Sequence, residues 1–136
     1  MQPTLTPYLA FNGKAAEAMK FYQSVLGGEL SMQTFGDVKM AKDPADENRI
    51  MHAALKNDLL SFMASDGMPG RAVKVGDNIS MSIAGSDEKK LTEFFHKLSA
   101  GGKVDMPLAK QFWGDTFGML TDKFGIHWMI NIGTKM

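Results

Sequence analysis

Residues 18–30, AMKFYQSVLGGEL, are echoed by residues 91–104, LTEFFHKLSAGGKV. Each copy is an apolar-periodic run closed by a Gly-Gly pair. An internal echo of this kind constrains the fold strongly, because both copies must build the same local unit. In the first copy Ala15, Ala18, Met19, Tyr22, Val25 and Leu26 share one face of a helix over 14–26. In the second, Leu91, Phe94, Phe95 and Leu98 recur at i, i+3, i+4, i+7 in a helix over 87–100. Ser86 is the expected N-cap there, with Asp87 and Glu88 at the positive end of the helix dipole.

The flanks repeat as well. A strand over 4–11 precedes the first helix, and strands near 28–35, 50–56 and 59–65 follow it, the last two joined at Asn57-Asp58. A strand over 78–84 precedes the second helix, and strands near 103–109, 115–121 and 126–132 follow. The pattern is two βαβββ modules, about 1–67 and 77–136, joined by a linker at about 68–76, within one α+β domain. The sheets are expected to be concave and mostly antiparallel or mixed. A module of this size buries little surface alone, so the two should share a core or pair with a second chain. The polar insert over 36–49 reads as an exposed loop, a candidate lid.

Fifteen basic and fifteen acidic residues balance to zero net charge and form no basic stripe, which argues against nucleic acid as a partner. With no cysteine, thiolate nucleophiles, disulfides and Cys-ligated metal centres are excluded. No apolar run reaches membrane-spanning length and the N-terminus lacks a signal-peptide pattern, so the expected location is the cytoplasm, away from membranes. Twelve methionines suit an irregular core or an adaptable apolar pocket.

Strand parity then selects the accessible side chains. In 126–132, Ile126, Trp128, Ile130 and Ile132 alternate with His127, Met129 and Asn131. In 78–84, Ile79, Met81 and Ile83 alternate with Asn78, Ser80 and Ser82. The helices need apolar floors, so the mixed faces are expected to be the ligand-accessible ones.

Three segments, PYLAFNGKAAEAMKFYQSVLGGEL, IMHAALKNDLLSFMASD and QFWGDTFGMLTDKFGIHWMIN, in this order and spacing resemble the PhnB-like branch of the vicinal-oxygen-chelate superfamily. That superfamily includes glyoxalase I, bleomycin-resistance proteins and extradiol dioxygenases. The resemblance implies a glyoxalase/bleomycin-resistance-like fold, cavities between modules, and a homodimer with or without exchange of modules between chains. It also implies four metal-ligand positions, one on the first and last strand of each module. Here they fall at Pro7, at Phe62 or Met63, at Asn78 and at Met129. Pro and Phe offer no side-chain donor and Met is a soft ligand, unsuited to a hard oxygen-activating cation. The expectation is therefore no metal and no cofactor. Members of the branch also carry a demethylubiquinone methyltransferase label, yet FNGKAAEA lacks the glycines of a nucleotide-binding turn.

The candidate ligand-binding residues are Met63, Asn78, Trp113, His127, Met129 and Asn131, with Phe112, Gln111 and Asp115 nearby in sequence. Arg71 and Lys74 in the linker are candidates for attracting an anion, and His96 belongs to the outer helix surface. The leading expectation is a metal-free protein that binds a small apolar or aromatic molecule. The alternative is an enzyme of lyase, isomerase or dioxygenase type rebuilt around His127 or His52 as general base.

Overall fold

The computed structural model describes residues 2–68 and 70–133 and divides into two compact units, 1–74 and 75–136. In the first, β1 (Tyr8–Ala10) leads into α1 (Ala15–Leu26), followed by β2 (Glu29–Thr34), β3 (Ile50–Lys56) and β4 (Ser61–Ser65). In the second, β5 (Met81–Gly85) leads into α2 (Glu88–Ser99), followed by β6 (Lys103–Lys110), β7 (Thr116–Thr121) and β8 (His127–Ile132). Both units are βαβββ. The sheets are ordered β1-β4-β3-β2 and β5-β8-β7-β6, each with one parallel pair, β1 with β4 and β5 with β8. The fold is α+β with two mixed four-stranded sheets.

Each helix covers one face of its own sheet. Ala18, Met19, Tyr22 and Leu26 of α1 are buried with Ala53, Leu55, Phe62 and Ala64. Leu91, Phe94, Phe95 and Leu98 of α2 are buried with Leu120, Trp128, Ile130 and Ile132. The expected apolar faces of both helices are therefore the ones that pack. Gly27 and Gly28, at φ 76° and 114°, end α1 in a conformation that residues with a Cβ avoid.

Gly118 of β7 serves space rather than conformation. A Cβ there would lie 2.8 Å from Phe95 Cε2 and 3.0 Å from the Met106 carbonyl oxygen. Its absence lets Phe95 rest on the sheet. Gly118→Ala is expected to destabilise the protein by about 1–3 kcal/mol through overpacking, read as a lower urea midpoint at unchanged slope.

Several local expectations are corrected. The strand over 4–11 shortens to Tyr8–Ala10, because Pro3 and Pro7 cannot donate to a ladder and β4 pairs only alongside these three residues. The strand over 78–84 begins at Met81, so Asn78 and Ile79 precede it, and Ile79 is 78% exposed rather than on the helix-packed face. The N-cap of α2 is Asp87, whose carboxylate accepts the Lys90 N–H at 3.1 Å, and Ser86 lies one residue outside. A carboxylate at the cap also meets the helix dipole more favourably than a hydroxyl does.

The segment over 36–49 folds back on itself. Phe35 is buried, its N–H donates to the Arg49 carbonyl, Gly36 donates to Glu47, and Pro44–Asp46 forms a single helical turn. Thr34 and Asp37 bond each other through backbone and side chain, and these bonds hold the Asp37 carboxyl below its usual range.

Two buried carboxylates lock the units locally. Asp66 follows β4 and accepts the N–H of Ala15 at 2.9 Å and of Ile50 at 2.8 Å. Lys14, the N-cap residue of α1, makes no side-chain cap, so Asp66 caps the helix from a distance in sequence. Asp122 follows β7 and accepts the N–H groups of Phe124 and Ile126 on one oxygen and the Trp128 indole N–H at 2.8 Å on the other.

Candidate functional site

Residues directly opposite across a ladder share a face. In the second sheet, Phe117 faces Asn131, Met119 faces Met129 and Thr121 faces His127. Ser82 faces Met129 from the other side, and Met106 faces Met119. These residues lie on the face opposite α2, whose own floor is Leu120, Trp128, Ile130 and Ile132. His127, Met129 and Asn131 all lie on this open face, half-buried, in the parity that their alternation with Trp128 requires.

The open face is graded along its length. Trp113, in the turn between β6 and β7, stacks edge-on to Phe117 at 6.0 Å between ring centroids. Phe112 next to it is 97% exposed and stacks on Trp113 at 5.0 Å. Asn131 donates to Asp115 at 2.9 Å, and Gln111 N–H donates to the Asp115 carbonyl, which ties this turn to the sheet. Next come Met119 and Met129. At the far end lies His127, about 13 Å from Asn131 at ~3.3 Å per strand residue. A depression of about 640 Å³ opens there, lined in part by Met119, Thr121, His127, Lys103 and Asp105.

His127 is held by residues that its own neighbourhood in sequence does not indicate. Its Nδ1 lies 2.9 Å from Thr121 Oγ1, and that hydroxyl donates to Asp105 Oδ2 at 2.7 Å. Lys103 Nζ sits 3.8 Å from the other Asp105 oxygen. The hairpin register was the available signal for Thr121. Asp105 was harder to find, because β6 shifts register between Val104 and Met106.

The first sheet has a smaller counterpart. Tyr8 faces Met63 and Met63 faces Ala54. The pairing of β2 with β3 slips between Gln33 and Thr34, which makes Met51 an extra residue. Ile50 therefore turns into the core while His52 turns to the open side. The Tyr8 hydroxyl lies 3.1 Å from His52 Nδ1, with the rings 5.8 Å apart.

The remaining expected residues stand apart. Asn78 is exposed in a bend ahead of β5, and the open-face residue beside Met129 is Ser82. Pro7 offers only its carbonyl, which accepts the Met63 N–H, and the open-face residue beside Met63 is Tyr8. Phe62 is buried under α1. Arg71 and Lys74 are exposed, as is His96 on the outside of α2.

A metal of the superfamily's kind does not fit these positions. Met63 and Met129 present thioethers, Ser82 a neutral hydroxyl, and the Tyr8 phenol is engaged with His52. Within each unit, no three His, Asp or Glu side chains among the described residues come together as a metal-binding group.

The model of the 3-demethylubiquinone-9 3-methyltransferase family matches residues 3–131. The chain belongs to this PhnB-like family. Protein YjdN of Escherichia coli K12 is 36% identical over 94% of both chains. Protein PA1353 of Pseudomonas aeruginosa, a solved structure, superposes with a TM-score of 0.86 at 39% identity, over 97% of this chain and 98% of that one. A PhnB protein from Bacillus cereus, named as a putative 3-demethylubiquinone-9 3-methyltransferase, superposes with a TM-score of 0.80 at 28% identity, over 96% and 100% of the two chains. A more distant likeness is to a glyoxalase-related enzyme from Fulvimarina pelagi. Its TM-score is 0.61 at 15% identity over 98% and 89% of the chains, a likeness of fold. No helix among the described residues is long and apolar enough to cross a membrane.

Proposed function

We propose that this PhnB-like protein binds a small apolar or aromatic molecule on the open faces of its sheets, without a metal ion. The observation that carries the reading is the strip Trp113–Phe117–Met119–Met129–His127, apolar over most of its length and polar at one end. Aromatic and thioether side chains adapt to a flat apolar body, and a few fixed polar groups orient it. Met63, Ala54 and Tyr8, with His52 beside them, offer a shorter strip of the same kind on the first sheet.

The methyltransferase in the family's description has no comparable support in this chain. Nucleotide-type cofactors are commonly held at the carboxyl ends of an open parallel sheet, behind a glycine-rich turn. Here each sheet has a single parallel pair, and the turn between β1 and α1 contains only Gly13.

The working unit is proposed to be a homodimer, in keeping with exposed large apolar residues such as Leu5, Ile79 and Phe112. Native mass spectrometry of untagged protein purified without chelator tests the reading. The expected spectrum is a dimer free of stoichiometric metal that releases a small molecule on activation. A divalent ion bound tightly at one per chain would overturn the metal-independent part.

A further inference from the structure

We infer that Asp105 and Thr121 fix the neutral His127 ring with its proton on Nδ1, so that Nε2 offers a lone pair to a phenolic or enolic hydroxyl of the bound molecule. A threonine hydroxyl has one hydrogen, and an ionised carboxylate can only accept. Thr121 Oγ1 lies 2.7 Å from Asp105 Oδ2, so its hydrogen goes there. Toward His127 Nδ1, at 2.9 Å, the same oxygen can then only accept. The ring must donate from Nδ1, and a neutral imidazole that does so carries no hydrogen on Nε2.

Nε2 has no protein hydrogen-bond partner among the described residues, and the ring lines the 640 Å³ depression. A bare acceptor at the end of an apolar strip selects a molecule with an apolar body and a terminal donor. A phenol or an enol has that form. A ligand presenting only acceptors there would meet a lone pair. Thr121 and Asp105 act through His127 and are positioning residues.

This inference rests on the binding reading given above, and its test separates the two. Nitrogen NMR of histidine-labelled protein, with the His127 signals assigned by His127→Gln, reads the tautomer without any ligand. The expected neutral form has a protonated Nδ1 and a bare Nε2. Thr121→Val should shift the ring toward the Nε2–H form that free imidazole side chains prefer, and Thr121→Ser should restore the original form. An Nε2–H ring in the unaltered protein, or one that Thr121→Val leaves unchanged, would overturn the relay.

The second arm titrates 4-ethylphenol and 4-ethylanisole, which differ by the hydroxyl donor. The unaltered protein should favour the phenol by about 3- to 10-fold, and Thr121→Val should abolish that preference. Equal binding overturns the donor assignment. Binding of neither overturns the ligand assignment and counts against the strip as a binding surface, while the tautomer result still decides the relay.

Discussion

Asp66→Ala is expected to lower stability by about 3–5 kcal/mol, among the largest losses from any polar substitution in the chain. Asp66 is 1% exposed, and its two oxygens accept from two different backbone N–H groups, Ala15 at the start of α1 and Ile50 at the start of β3. Removing the carboxylate leaves both donors without that acceptor in a place water hardly reaches. It also removes the negative charge beside the N-terminus of α1, which has no side-chain cap of its own. Asp66→Asn should lose roughly half as much, since the amide keeps one acceptor and turns its NH₂ toward the other donor. Urea unfolding of the three proteins checks this. A loss below about 1 kcal/mol for Asp66→Ala would show that the two N–H groups find water or other partners.

Asp122→Ala is expected to cost about 2–4 kcal/mol by the same reasoning. Asp122 is 3% exposed and gathers the Phe124 and Ile126 N–H groups and the Trp128 indole N–H into one turn. The indole is itself 2% exposed, in the floor beneath α2. This substitution therefore disturbs both the β7–β8 turn and the core. Trp128→Phe removes the donor while keeping an aromatic ring. In a double-mutant cycle the pair Asp122→Ala and Trp128→Phe should be non-additive by about 1 kcal/mol or more, which isolates the indole bond from the backbone bonds. Strict additivity would mean that the indole–carboxylate bond adds nothing net.

Much of this architecture was legible in the sequence for physical reasons that also show where legibility ends. The echo of AMKFYQSVLGGEL in LTEFFHKLSAGGKV gave both helices and their buried faces, because apolar spacing and Gly-Gly stops are local signals. Parity in β8 put Trp128 in the core and His127, Met129 and Asn131 on the open face, because that strand runs without a bulge. Parity did not carry over to 78–84. Alternation says nothing about where a strand begins, and Ile79 lies before β5 and is exposed. The residue beside Met129 on the open face is therefore Ser82, while Asn78 precedes the strand. Pairings between distant residues were out of reach: Tyr8 with His52 spans 44 residues and reaches across β4. Asp105 with Thr121 depends on an irregular β6. The relay that sets the chemistry of His127 is thus a product of tertiary register, whereas the histidine's placement is a product of local alternation.

Methionine methyl NMR tests the central claim most directly, because methionines sit on both open faces and in the core. Protein labelled at the methionine methyl groups would be titrated with 4-ethylphenol and with indole in the presence of EDTA. Shifts should concentrate at Met119 and Met129, with smaller ones at Met63, while Met19, fully buried on the inner face of α1, stays still. Shifts confined to the exposed Met40 and Met68, or shifts on the open faces that appear only after a divalent cation is added, would contradict a metal-independent binding surface on the sheets.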